Sequence, residues 1–188
     1  MSKCSPSPVS PGARQRGMAL ITTLILLVML TIIAVTAARM ASFEERMAGN
    51  MRDRDVALRA AEMGLRDAER DIMNAGPPSS ARHISGCTGF TADCGASTIT
   101  LNDDGLCYGG FGGYATPIWQ TAGILTAAPS APYGAFTGAA AIAGVPAPRY
   151  LIECMPKSDG YYYRITVLAQ GAKPGTALML EEMFTPGE

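Results

Sequence analysis

Four of the five cysteines, Cys87, Cys94, Cys107 and Cys154, lie beyond a long apolar N-terminal run, and Cys4 precedes it. An even number of thiols in a segment carried outside the cytoplasm points to disulfide chemistry, with three connectivities open. Their wide spacing lacks the close pairs of structural zinc sites, so no metal is expected. The single histidine, His83, stands among Ser, Arg and Gly with no nucleophile or acid at a telling distance, and reads as a loop residue rather than a general base. Asn102-Asp103-Asp104-Gly105 lacks the alternating acids and closing glutamate of a calcium loop and reads as a turn. Gly109-Gly110-Phe111-Gly112-Gly113-Tyr114 has no preceding strand and no following lysine to make it a phosphate cradle, so it is a surface turn with two aromatic anchors. Tyr161, Tyr162 and Tyr163 could make a binding surface, but two of them are expected to pack in or beside a sheet. The chain is read as a non-enzyme without a cofactor.

The elements that position these residues begin with the run from Met18 to Ala38, which holds no formal charge. As a helix it reaches ~31 Å, the thickness of a bilayer's hydrocarbon layer. Lys3, Arg14 and Arg16 precede it without an acid, which keeps that flank cytoplasmic. The 188 residues carry a formal charge of −1, so the part after the basic flank is net acidic. With no basic patch, nucleic acid is not an expected partner. A secretory signal would have a shorter apolar core. An uncleaved signal anchor needs no more than a basic flank and a spanning helix, and stays open.

No proline interrupts residues 12–76, and the helical pattern continues past the apolar run. Met40, Phe43, Met47, Met51, Leu58, Ala61, Leu65, Ala68 and Ile72 form one apolar stripe. Asp55 with Arg59 and Glu62 with Arg66 stand four apart on the other side, acid first. Gly49-Asn50 and Gly64 weaken the helix locally, and Asn74 to Pro78 ends it. Such a stripe could pair in a coiled coil, but its alanines and methionines and its short length favour packing on the chain's own domain.

Arg16-Gly17-Met18, with the apolar run directly behind the glycine, resembles a prepilin signal. The segment Glu44-Glu45-Arg46-Met47-Ala48-Gly49-Asn50-Met51-Arg52-Asp53-Arg54, followed by Ala60-Ala61-Glu62 and Leu65-Arg66-Asp67-Ala68-Glu69, resembles the N-terminal region of PilX-type minor pilins of type IV pili. The first resemblance implies cleavage after Gly17 by a prepilin peptidase and N-methylation of Met18. The second implies a low-abundance subunit that primes pilus assembly and sits at the tip. Its partners would be other minor pilins, the major pilin, the inner-membrane assembly platform and a tip adhesin, in support of twitching motility or adhesion. Before assembly it would stand in the inner membrane with a periplasmic C-terminal domain, and afterwards at the cell surface. Thr22 occupies the place where most major pilins carry a glutamate that neutralises a neighbour's N-terminal ammonium, and a threonine can instead bond back to its own helix. Two alternatives remain: a pseudopilin of a type II secretion system, and a membrane-anchored periplasmic binding module with no filament role.

The C-terminal part contains three strand-length runs, Arg149 to Met155, Tyr161 to Ala169 and Ala177 to Phe184, joined by short Gly-containing links. In the middle run Tyr161, Tyr163, Ile165, Val167 and Ala169 alternate with polar neighbours, the pattern of a half-buried strand. The expected fold is α+β, pilin-like: a long N-terminal helix, transmembrane then amphipathic, packed through its Met47–Ile72 stripe on an antiparallel β-meander. Residues 1–17 form a leader, 18–38 the membrane half of the helix, and 39–76 the amphipathic half. A globular domain over 77–188 divides into Gly/Ala-rich loops (77–148) and the meander (149–188). Cys154 lies inside the first strand, and pairing it with Cys107 would staple a loop onto the sheet and leave Cys87 to Cys94.

Overall fold

In a computed structural model, residues 18–74, 82, 84–95, 105–110 and 113–186 are described. The leader with Gly17, His83, residues 102–104, Phe111 and Gly112 lie outside them. The chain divides into two compact units that part between Ala48 and Gly49.

Helix α1 covers Met18–Met73. In the first unit it is helical throughout, and Met18, Leu20, Leu24, Leu27, Met40, Phe43 and Met47 are exposed. Its N-terminal part is long and apolar enough to cross a membrane. Thr23, Thr31 and Thr36 each turn the hydroxyl onto a carbonyl three residues back, so these polar groups add little cost in lipid.

The second unit packs the rest of α1 on a mixed sheet. β1 (Leu106–Cys107) runs parallel to β3 (Arg149–Lys157); β3, β4 (Gly160–Gln170) and β5 (Ala177–Phe184) form the expected antiparallel meander, and β2 (Ala131–Pro132) pairs with the start of β3. The order is β1-β3-β4-β5. Gly105 makes the junction of β1, β2 and β3 possible: its φ is +61°, and a Cβ there would lie 2.8 Å from both Ala131 N and Tyr150 O. Its own carbonyl accepts from Ile152 N at 2.7 Å.

Strand alternation sends Tyr150, Ile152 and Cys154 of β3 and Tyr163, Ile165, Val167 and Ala169 of β4 toward α1, where they meet Ala60, Ala61, Ala68 and Ile72. The opposite face is covered too. Leu151 packs with Cys94, Cys107, Ile124 and Leu125, and Ile118 and Trp119 of a short 3₁₀ helix (Ile118–Gln120) lean on them. The sheet is therefore buried on both faces at its centre, where a half-buried strand was expected: Thr166 and Glu153, on the far face, are each 2% exposed. Glu153 faces Arg164 at 3.2 Å, and Arg164 reaches Glu181 at 3.5 Å, so one cation is shared by two acids.

Two expectations need correction. The helix face turned to the sheet takes in only the C-terminal part of the expected stripe: Ala61, Ala68 and Ile72 are buried with Leu65 against them, but Met51 is 68% exposed and Leu58 37%, and Ala57, Ala60 and Gly64 go in instead together with Asp53, Asp67 and Asp71. The sheet supplies the bulk and the helix supplies the clearance. Gly64, which weakens an isolated helix, is a point of tight approach, since a Cβ there would stand 2.7 Å from Val167 Cγ1. The disulfides are Cys87–Cys154 and Cys94–Cys107. In the register of β1 with β3, Cys107 lies beside Glu153, on the face opposite Cys154, so a Cys107–Cys154 bond would have to cross the sheet. Cys87 approaches from the helix side and Cys94 from the far side.

Non-reducing peptide mapping should therefore recover Cys87 with Cys154 and Cys94 with Cys107. Replacing the first pair by serine, which opens a separation of 67 residues, should cost ~4 kcal/mol, against ~3 kcal/mol for the second at 13. Gly64→Ala should lower the denaturant midpoint by an amount worth about 1–3 kcal/mol despite alanine's better helix propensity, and Val167→Ala in the same chain should recover part of it.

Candidate functional site

The residues singled out by sequence fall into two groups. Met18 is 70% exposed. One turn on, Thr22 Oγ1 donates to the carbonyls of Met18 at 3.1 Å and Ala19 at 3.0 Å. The hydroxyl is satisfied by its own helix and presents no charge to a neighbour. In the motif that follows, Glu44, Glu45, Arg46, Asn50, Arg52, Arg54 and Glu62 are exposed, and Gly49 is half-buried, with a Cβ there 3.4 Å from Lys173 Nζ. Asp55 and Arg59 form the expected ion pair at 2.9 Å. Asp53 alone of the motif's charged residues is buried, at 4% exposure.

Asp53 is the first of three acids on the inner face of α1, each of which holds a different loop. Its Oδ1 accepts from Lys173 N at 3.0 Å, in the link between β4 and β5. A Cβ on Gly171 would lie 2.8 Å from the same carboxylate, so glycine leaves the room for it. The Thr176 hydroxyl holds the Asp53 carboxyl below its ordinary pKa against the opposing effect of burial, with the backbone amides of Lys173 and Ala172 adding smaller contributions in the same direction as the hydroxyl. Asp67 Oδ2 accepts from Gly134 N at 2.6 Å and its Oδ1 from the Thr137 hydroxyl. Burial outweighs these bonds and raises its pKa.

Asp71 pairs with Arg82, both buried, and accepts the Tyr150 hydroxyl at 3.1 Å. The guanidinium lies 3.6 Å above the Phe136 ring. A planar cation can serve the acid with its edge and the aromatic with its face, which suits arginine and not lysine. Burial, followed by the Asp71 charge, pushes the Tyr150 phenol well above its usual range, so it stays a donor at any physiological pH.

The sequence reading missed Asp71 and Arg82, and gave Asp67 no role beyond its place in the resembling segment. The signal was present: Asp53, Ala57, Ala60, Gly64, Asp67 and Asp71 recur at helical spacing, placing three acids on the side that carries alanine and glycine. Acids on an otherwise small, apolar face must bond or leave it. Of the three tyrosines only one is buried, where two were expected to pack in or beside the sheet. Tyr163 is buried and donates to Gly86 O at 3.0 Å, Tyr161 is 50% exposed, and Tyr162 donates to Asp159 at 2.9 Å under Lys157 Nζ. In the glycine-rich turn Gly113 N donates to Gly110 O, and Tyr114 anchors it by donating to Ala92 O at 3.1 Å. Burial, helped by Glu153, pushes the Tyr114 pKa up to about 12. Among the described residues no group of His, Cys, Asp and Glu could hold a metal ion. The arrangement is one for positioning surfaces.

The two shifted aspartates act on stability with opposite sign. Below the ordinary value of 3.8, the unfolded state binds the proton of Asp53 before the folded state does, so stability rises with pH there. Above 3.8 the folded state holds the proton of Asp67 longer, so stability falls with pH through that window. Denaturant midpoints followed from pH 2.5 to 6.5 should show Asp53→Asn flattening the lower limb and Asp67→Asn flattening the upper one.

Residues 16–66 match the family model described as PilX N-terminal, a match that takes in Gly17, Met18, Thr22 and the whole motif from Glu44 to Glu62. Residues 103–186 match the model described as type IV pilus assembly protein PilX C-term, which covers the sheet, two of the loops pegged by aspartates and Cys107 and Cys154. No curated protein and no solved structure matches the chain. An apolar N-terminal helix continuing into an α+β domain, matched at both ends by the two PilX models, makes the chain a member of the PilX family of type IV pilus minor pilins.

Proposed function

We propose that this minor pilin primes assembly of a type IV pilus and stays at its tip, supporting twitching motility or adhesion. A prepilin peptidase cuts between Gly17 and Met18, and the new Met18 amine is methylated. Residues 18–38 hold the precursor in the inner membrane, with the domain in the periplasm, until the assembly platform draws it into the filament beside other minor pilins and the major pilin.

The observation that carries the tip position is Thr22. A subunit repeated along the shaft needs an acid here for the ammonium of the next subunit, and an uncompensated charge in an apolar filament core costs several kcal/mol. Thr22 bonds to Met18 O and Ala19 O and has no charge to give. The Met18 amine can still receive a carboxylate from another subunit. A chain that can take but not give this contact belongs at one end of a series.

Mass spectrometry of the protein purified from pilus-forming cells should show loss of residues 1–17 and one methyl on Met18; an intact leader contradicts the reading. Immunogold labelling of sheared pili should find it at filament ends, and Thr22→Glu should raise its abundance along the shaft. Wild-type labelling at the density of a shaft subunit would remove the tip assignment.

A further inference from the structure

β5 is the last strand of the sheet, and no described strand pairs with its outer edge. Natural edges are kept short, bulged, charged on their inward side or covered, because a free row of N–H and C=O groups invites another strand. This edge runs for 8 residues in regular register with β4. On one face Met179 and Met183 are 39% and 52% exposed. On the other, Leu178 and Leu180 line a groove of about 320 Å³ with Met51, Arg54, Asp55 and Leu58 of α1. The open edge thus has apolar surface on both sides, and the methionine–leucine part of the helix that the sheet leaves uncovered forms one wall.

The charge beside it is acidic. Glu181 leans on Arg164 at 3.5 Å. Glu182 points to the helix side, within hydrogen-bond reach of Glu69, with Arg66 and Arg70 near enough to offset part of the repulsion. Burial, and after it the charge of Glu182, raises the Glu69 pKa, which marks the pair as incompletely neutralised.

We propose that the β5 edge receives, by strand addition, an extended segment of another polypeptide that carries apolar side chains on both faces and a Lys or Arg on the face turned to α1. Its apolar residues enter the Met51–Leu58 groove and cover Met179 and Met183, and a basic residue sits beside Glu69 and Glu182. Main-chain bonds supply the affinity, and the alternating side chains supply the choice of partner. A second copy of this chain fits poorly, because antiparallel pairing of β5 with itself gathers Glu181 and Glu182 of both copies into one short stretch. A helix cannot pair the free N–H and C=O row. The proposal rests on the reading of the chain as an assembly subunit.

The test places a photocross-linking residue, p-benzoylphenylalanine, at Met179 or Met183 of the full chain in pilus-forming cells, with exposed Thr126 as the control position. Adducts are mapped by mass spectrometry, and the chain is assayed in sheared filaments of the same cells. The expected result is an adduct from 179 or 183, not from 126, onto an extended Lys- or Arg-containing segment of a different polypeptide. Glu182→Lys, which keeps a favourable contact with Glu69 in the folded chain, should reduce the adduct about fivefold. Adducts to a helix, to a second copy, or equally from 126 overturn the proposal. No adduct from either position while the chain is present in filaments overturns it and leaves the filament reading standing. An adduct with the chain absent from filaments overturns filament membership and leaves the edge interaction, and loss of both overturns both.

Discussion

The close approach of α1 to its sheet sets the terms for everything else in the second unit. Ala57, Ala60, Ala61, Gly64 and Ala68 give the helix an inner face almost without side chains, and Tyr150, Ile152, Tyr163, Ile165 and Val167 fill the space from the sheet. Apolar area is removed from water on both partners at ~25 cal/mol per Å², but most of the side-chain volume belongs to the strands. Because the helix backbone comes so near, the short aspartate side chains at 53, 67 and 71 reach past the sheet's margins to the loops. Longer acids at these positions would overshoot a Gly134 amide held at 2.6 Å or a Lys173 amide at 3.0 Å.

This arrangement explains how loops as poor in regular structure as the described residues between α1 and β3 are held in place. Loops rich in Gly and Ala bury little apolar surface for the conformational entropy they lose. Asp67 and Asp71 fix the helix side through Gly134, Thr137 and Arg82. The far side is fixed by Cys94–Cys107 and by Ile124, Leu125 and Trp119. One disulfide lies on each face of the sheet, Cys87–Cys154 from β3 on the helix side and Cys94–Cys107 from β1 on the far side, so the sheet is tied to both of its covers. The exposed surface of the loops can then vary without disturbing the contact between helix and sheet.

Much of the fold was legible in the sequence because the periods were clean. A charge-free run followed by helical spacing gives α1 as one element to Met73, and alternation in residues 161–169 gives β4 and, with the short links on either side, the meander. The packed face of the helix was legible from hydrophobicity only at Ala61, Leu65, Ala68 and Ile72; before them the bulky Met51 and Leu58 stay outside and alanine, glycine and aspartate go in. Steric clearance decided that choice, and clearance depends on the partner surface, which a single helix does not encode. The disulfide pairing failed for a related reason. Cys107 and Cys154 were assigned without the parallel β1–β3 register that sets them on opposite faces, and a two-residue strand in a Gly-rich segment leaves no periodic trace. Thr22 was legible as a position, and the structure adds the local bonds that leave it satisfied and uncharged.

The claim that buried aspartates on α1 hold the loops separately, while the small-residue face holds the sheet, is tested most directly by native-state hydrogen exchange on the full chain. Asp53→Ala should speed exchange in residues 171–176 by about tenfold, and Asp67→Ala should do the same in residues 133–139, with the amides of residues 57–72 and of β4 as slow as in the parent chain. Unchanged loops, or a loss of protection spread evenly through helix and sheet in either variant, would contradict it.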